Sequence, residues 1–89
     1  MRAVITVVGK DAVGILAKVS GKCAAYNANV IEVSQSVLQD LFAMIMLVET
    51  SNLSCALSEL GSQLARLGEE NGLAIHVMHE DIFNSMHRI

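Results

Sequence analysis

The segment Gly9-Lys10-Asp11-Ala12-Val13-Gly14 has the residue types best suited to chemistry, because two glycines flank one base and one acid. The glycine spacing is that of a phosphate-gripping loop, but Ile15-Leu16 follow where such a loop needs Lys and Ser or Thr. Nucleotide phosphate therefore has little to hold it. If the segment ends at a helix start, the unpaired N–H groups and the helix dipole there favour an anion, and the carboxylate of an amino acid would suit. A tight strand-to-helix turn is the plainer account of both glycines.

The other reactive side chains are scattered. His76 and His79 are three apart in a strand-like run, so they point to opposite faces and do not share a metal. His79, Glu80 and His87 meet only if the C-terminal segment folds back. Cys23 and Cys55 match no zinc spacing, and we read both as reduced thiols in a reducing compartment. Met44, Met46, Met78 and Met86 suit core and interface filling better than a soft-metal site. Glu69-Glu70 reads as a solvated helix end. Gly21, inside a helical pattern, costs about 1 kcal/mol relative to Ala, which calls for close helix-sheet packing or a close partner helix. No nucleophile stands beside a base.

Composition bounds the whole. The chain has 89 residues, 53% of them hydrophobic, 17% charged and 3% aromatic, with a formal net charge of −3 and no proline or tryptophan. That is one small domain, too apolar to be disordered. The acidic balance and the few aromatics argue against nucleic acid, which needs clustered Lys and Arg and stacking surfaces. The longest apolar run, Leu41 to Val48, is far short of the ~20 residues that span a bilayer. No leader-type segment precedes the first strand pattern, so we expect a cytoplasmic protein without a membrane partner.

Periodicity then sets out the elements that position these residues. Arg2 to Gly9 is β-branched and reads as a strand buried on both faces. Gly14 to Tyr26 has helical spacing, with Leu16, Val19, Cys23 and Tyr26 on one stripe. Asn27 to Asn29 breaks it. Val30 to Leu38 is a second strand, where Ile31, Val33 and Val37 alternate with Glu32, Ser34 and Ser36, and Gln35 falls on the apolar side. This half-polar pattern marks an edge. Gln39-Asp40 is a tight turn into a third strand, Leu41 to Glu49, apolar on both faces. Thr50 to Asn52 should start a second helix, with Ser51 or Asn52 as N-cap and Leu57, Leu60, Leu64 and Leu67 buried. Asn71-Gly72 offers it a left-handed end. Leu73 to His79 is a fourth strand. Glu80 to Ile89 places Ile82, Phe83, Met86 and Ile89 on one face of a short terminal helix.

The order β-α-β-β-α-β plus a tail is the split βαβ, ferredoxin-like α+β sandwich, with a four-stranded antiparallel sheet and two helices on one face. We divide the chain into a domain over 1–79 and a helical tail over 80–89. In that topology the first and third strands are central, and they are also the two most apolar. Helices cover one sheet face only, so apolar residues remain on the other, and such a patch marks a partner surface. A homodimer or higher homo-oligomer follows. Known uses of this fold fail one at a time. Phe42 is the sole aromatic on a strand, too few for RNA recognition. The first loop lacks the cysteines of a metallochaperone and the Arg of an acylphosphatase. Two cysteines cannot hold an iron–sulfur cluster that needs four.

Asp11-Ala12-Val13-Gly14-Ile15-Leu16-Ala17, then Val19-Ser20-Gly21, then Asn29-Val30-Ile31 resembles the ACT domain signature. Thr6 to Asp11, Ile31 to Leu38 and the ending Asp81-Ile82-Phe83 with Met86 resemble, more closely, the stand-alone ACT proteins of the UPF0237 group. The resemblance spans essentially the whole chain. Val13 departs from it, since many ACT domains carry Pro there. The resemblance implies a regulatory module that binds an amino acid or other small metabolite between paired domains, near the first strand-helix loop. Carried over by position, the ligand-binding candidates are Lys10, Asp11, Gly14 and Ile15 in the loop, with Asn29 and Ile31 across the interface. Asp11 would take a ligand amine, and the N–H groups near Gly14 and Ile15 its carboxylate. The expectation is thus a non-catalytic homodimeric module with no metal or cofactor. The alternative is a protein-interaction module with no small ligand, which docks a protein partner through the open sheet face or the second-strand edge.

Overall fold

The computed structural model describes residues 1–10 and 13–86. Four strands and three helices follow one another as β1 (Arg2–Gly9), α1 (Ile15–Ala25), β2 (Asn29–Leu38), β3 (Leu41–Glu49), α2 (Leu57–Asn71), β4 (Leu73–His79) and α3 (Glu80–Met86). The sheet order is β2-β3-β1-β4, with antiparallel neighbours throughout, so β1 and β3 are central and β2 and β4 are edges. This is the ferredoxin-like sandwich, and every strand lies within a residue of its place in the sequence pattern.

The core fills the layer between the sheet and α1–α2. It joins Ala3, Ile5 and Val7 of β1 to Phe42, Met44, Met46 and Val48 of β3, with Leu73 and Ile75 of β4. From above it receives Ile15, Val19 and Cys23 of α1 and Leu60 and Leu64 of α2. Fully burying a side chain the size of Leu or Met contributes about 1.5–3 kcal/mol, so these residues carry the fold. Phe42 is part of this core and is not displayed for stacking.

Gly68 fixes how closely α2 sits on β4. A Cβ there would stand 2.6 Å from the Leu73 carbonyl oxygen and 3.0 Å from Ile75 Cγ1. Gly21 differs: nothing lies within 4 Å of the place its Cβ would take, so close helix-sheet packing does not explain it. Lys18 Nζ ties the two helices by donating to Asn71 Oδ1 at 2.8 Å.

Several local expectations need correction. The buried stripe of α1 is Ile15-Val19-Cys23, a strict four-residue row, and Leu16 turns outward. The second helix starts at Leu57 with Ala56 at its N-cap, and neither Ser51 nor Asn52 caps it. Their neighbours have other partners: Thr50 Oγ1 donates to the Met1 carbonyl at 2.8 Å, and Ser51 Oγ donates to Glu49 at 2.6 Å. The α2 C-terminus does end at left-handed Gly72 (φ 68°).

The first strand is not buried on both faces. Its face away from α1 and α2 runs from buried Val4 to exposed Val8. Val4 shares that face with its ladder partners Leu47 and Met78. α3 packs against β1 and β4, and Arg2 forks onto Glu80 with contacts of 2.8 and 3.1 Å. α3 therefore covers the Val4 end of the open face. Ile82 and Met86 stay exposed on it, and Phe83 is half-buried. Ile89 and His87, placed on the tail by its periodicity, lie outside the described residues.

Candidate functional site

The first strand-helix connection is built by Gly14. Its backbone is left-handed (φ 72°, ψ 2°), a conformation that glycine adopts without the clash of a Cβ. The turn delivers the chain into α1, whose first turn has no side-chain cap and no acidic residue. The leading N–H groups of a helix have no intrahelical acceptor, and they sit at the positive end of the helix dipole. Ile15 is 2% exposed with its side chain in the core, so only its backbone can face a ligand. Lys10 is exposed just beyond β1. Asp11 lies outside the described residues.

Asn29 and Ile31 are elsewhere in the same chain. Asn29 opens β2 and pairs with Glu49, which pairs in turn with Arg2. Lys10 follows Gly9, at the far end of β1. Seven residue steps of strand separate the two ends, roughly 23 Å. One copy of the chain therefore keeps Asn29 at the end of the sheet opposite Lys10. A bulge between Val30 and Glu32 takes Ile31 out of the ladder with β3 and leaves it 45% exposed.

Asn29 also has neighbours that sequence reading missed. It borders a shallow groove with Ser20 of α1, Asn27 of the turn and Asn52 of the β3–α2 connection. Three amides and a hydroxyl there can both donate and accept. The left-handed conformation of Asn27 (φ 62°) was a readable turn signal, but nothing local brings residue 52 beside residue 29.

The reactive side chains noted in the sequence are otherwise absorbed by structure. Cys23 is buried, and desolvation pushes its thiol up to about 11. Both cysteines are free thiols. His76 is exposed on the open face, while His79 Nδ1 accepts the Asp81 N–H at 3.1 Å at the start of α3. Met44 and Met46 fill the core. Among the described residues no three His, Cys, Asp or Glu side chains gather to hold a metal, and no helix is long and apolar enough to cross a membrane.

A family model for the ACT domain matches residues 2–78. The chain belongs to the ACT domain family. A UPF0237 protein of Methanopyrus kandleri is 47% identical to this ACT domain over 88 residues, which cover 99% of this chain and 98% of that one. The solved ACT domain protein from Streptococcus pneumoniae superposes with a TM-score of 0.81 at 37% identity and covers 93% of each chain. A formyltetrahydrofolate deformylase from Pseudomonas syringae matches with a TM-score of 0.77 at 25% identity over 88% of this chain but only 27% of its own. The same unit thus occurs both as a chain of its own and as part of a longer one.

Proposed function

We propose that this ACT domain is a non-catalytic regulatory module that pairs through β2 into a homodimer and binds an amino acid at the seam. The observation that carries this reading is the state of β2. It is a ten-residue edge whose outer backbone groups are unpaired by the sheet, and every residue from Ile31 to Leu38 is exposed. It holds no Lys or Pro, the residues that usually protect an edge from pairing. Val33 and Val37, 38% and 70% exposed, add apolar surface on the helix side of that edge.

Antiparallel pairing of two β2 edges about a two-fold axis would also assemble the candidate site. The Leu38 end of one β2 would meet the Asn29 end of the other. Through the β2–β3 and β3–β1 ladders, Leu38 is at the same end of the sheet as Gly9. Asn29 and Ile31 of a second copy would thereby approach the end that carries Lys10, Gly14 and Ile15. An amino acid fits the two chemistries on offer. Its carboxylate would accept from the first-turn N–H groups of α1, with Lys10 near. Its amine would go to Asp11 and to the amide oxygen of Asn29.

Binding is the whole event, and its readout is a change in the paired state passed to another protein. Thermal unfolding against an amino-acid panel tests it. One ligand should raise the melting temperature, and Asp11→Ala should abolish that rise. Silence across the panel would favour the module that docks a protein and takes no small ligand.

A further inference from the structure

β4 is the other edge of the sheet. It holds no Lys or Pro, and its register with β1 runs unbroken from Leu73 to His79. In an antiparallel pair, alternate residues bond the partner strand with both N–H and C=O, and the residues between them turn both groups outward. β4 therefore offers a row of unpaired donors and acceptors along its outer side.

That outer side is also the floor of a groove. Gly68 lets α2 sit low on β4, and Ala65, Gly61 and Ser58 continue its row along the helix at three- and four-residue spacing. The place of a Gly61 Cβ is only 3.7 Å from Val77 Cβ, so the row runs beside the strand. Ser58, Gly61 and Ala65 wall the groove on the helix side, and their small side chains leave it open. His76 and Met78 of the strand and Ile82 of α3 border it on the opposite face of the sheet. Its volume is about 570 Å3, and among the described residues no Lys, Arg, Asp or Glu lines it.

We infer that β4 is a docking edge for an extended segment of another protein, which joins the sheet as a fifth strand with uncharged side chains in this groove. Main-chain hydrogen bonds hold such a segment, and pockets for its alternate side chains select it. Side chains on one side of the added strand fill the space that Ser58, Gly61 and Ala65 leave. Val or Ile suits that place, being apolar, branched and a good strand former. Side chains on the other side meet His76, Met78 and Ile82.

The size of the edge decides between a strand and a globular partner. The 7 residues of β4 run roughly 23 Å, and the chain is 19 Å deep. Even the full depth along that length gives roughly 440 Å2 on each side, about half of the ~800 Å2 that each partner gives a stable interface. A second copy offers no more, since its own β4 edge is the same size. The total, roughly 900 Å2, is that of a weak, transient contact. The inference is independent of the β2 pairing, which uses the opposite edge.

A phage-displayed library of random peptides of roughly ten residues, long enough to line β4, tests this when panned on the full chain. One selected peptide is then synthesised and titrated by NMR. The expected peptide is uncharged through its middle, shifts the amide signals of Leu73 to His79, and slows hydrogen exchange at alternate amides of that run. Ala65→Arg and Ser58→Arg each place a long charged side chain in the groove from an exposed helix position, so their circular dichroism should match wild type. Each should weaken the peptide about tenfold or more. Val33→Lys, on the other edge, should leave its affinity unchanged. No peptide enriched over bare support, or a peptide that both groove variants bind as wild type does, overturns the inference. So does a peptide that shifts the signals of β2 in place of β4. A wild-type particle that Ala65→Arg makes smaller in sedimentation equilibrium puts a second copy on β4, and overturns it too.

Discussion

Val33 and Met46 are ladder partners on the same side of the sheet, yet Met46 is wholly buried and Val33 is 38% exposed. The helical layer ends between them. β2 starts beside α1, where Val30 packs against the core, and from Ile31 to Leu38 it is exposed, with Val33 and Val37 on its helix side. Such an edge is a template for another strand. The proposed pairing, and with it the proposed ligand site, comes from this mismatch between the width of the sheet and the width of the helical layer.

Val33→Lys should therefore act on association and not on folding. Its Cβ is already partly in water, and surface substitutions of this kind usually shift stability by no more than about 0.5 kcal/mol. Light scattering behind gel filtration should show a smaller particle, while circular dichroism of the variant matches wild type.

Gly68→Ala and Gly21→Ala should have opposite signs. Ala is the better helix former by about 1 kcal/mol at either place. At Gly68 the new methyl meets a backbone carbonyl that cannot move without shifting β4, and overpacking of this kind costs about 1–3 kcal/mol. At Gly21 it enters open space. Urea unfolding should show Gly68→Ala destabilised and Gly21→Ala equal to or above wild type.

The two thiols should differ in reactivity. Burial holds Cys23 near 11, so little thiolate forms at pH 8, and the sulfur is sealed in the core. Cys55 is half-buried in the β3–α2 connection. Native protein treated with a thiol-specific disulfide reagent should release one equivalent of chromophore quickly, lost in Cys55→Ala, with the second equivalent released only on unfolding.

Glu49 should make stability fall in acid. The Ser51 hydroxyl, the Met1 amino group at 3.1 Å and the Ser51 N–H bring its carboxyl down to about 2 from an ordinary value of 4.5. A depressed value means the folded state favours the ionised form. The contribution is complete above about 4.5 and is lost as pH falls through about 2. A melting-temperature series from pH 6 to 2 should slope downward over that window, and Ser51→Ala should flatten it.

Much of the fold was legible because strand and helix periods in this chain rarely conflict. Val33, Gln35 and Val37 against Ser34 and Ser36 announced the edge, and Asn71-Gly72 announced a helix end. The misplaced α2 start has a physical cause. Thr50 and Ser51 are good capping types, but their hydroxyls are taken by the Met1 carbonyl and by Glu49, partners supplied by the first residue of the chain and by the end of β3. Leu16 was misread because it and Ile15 are adjacent apolar residues, and only the packed sheet chooses between them. The candidate site was legible as residue types and not as a place. Lys10 and Asn29 prove to be at opposite ends of one sheet, and the groove that Asn52 shares with Asn29 depends on a contact across the fold.

The most direct measurement is thermal unfolding of the pure protein against the twenty amino acids at millimolar concentration, repeated on Asp11→Ala, Asn29→Ala and Val33→Lys. A ligand at 100 times its dissociation constant adds about 2.7 kcal/mol of stability, a shift easily seen in a domain of this size. The account predicts one clear ligand, lost in all three variants because the site needs the loop, the β2 start and the paired edges together. A ligand that Val33→Lys still binds as tightly as wild type, or no ligand at all, would contradict it.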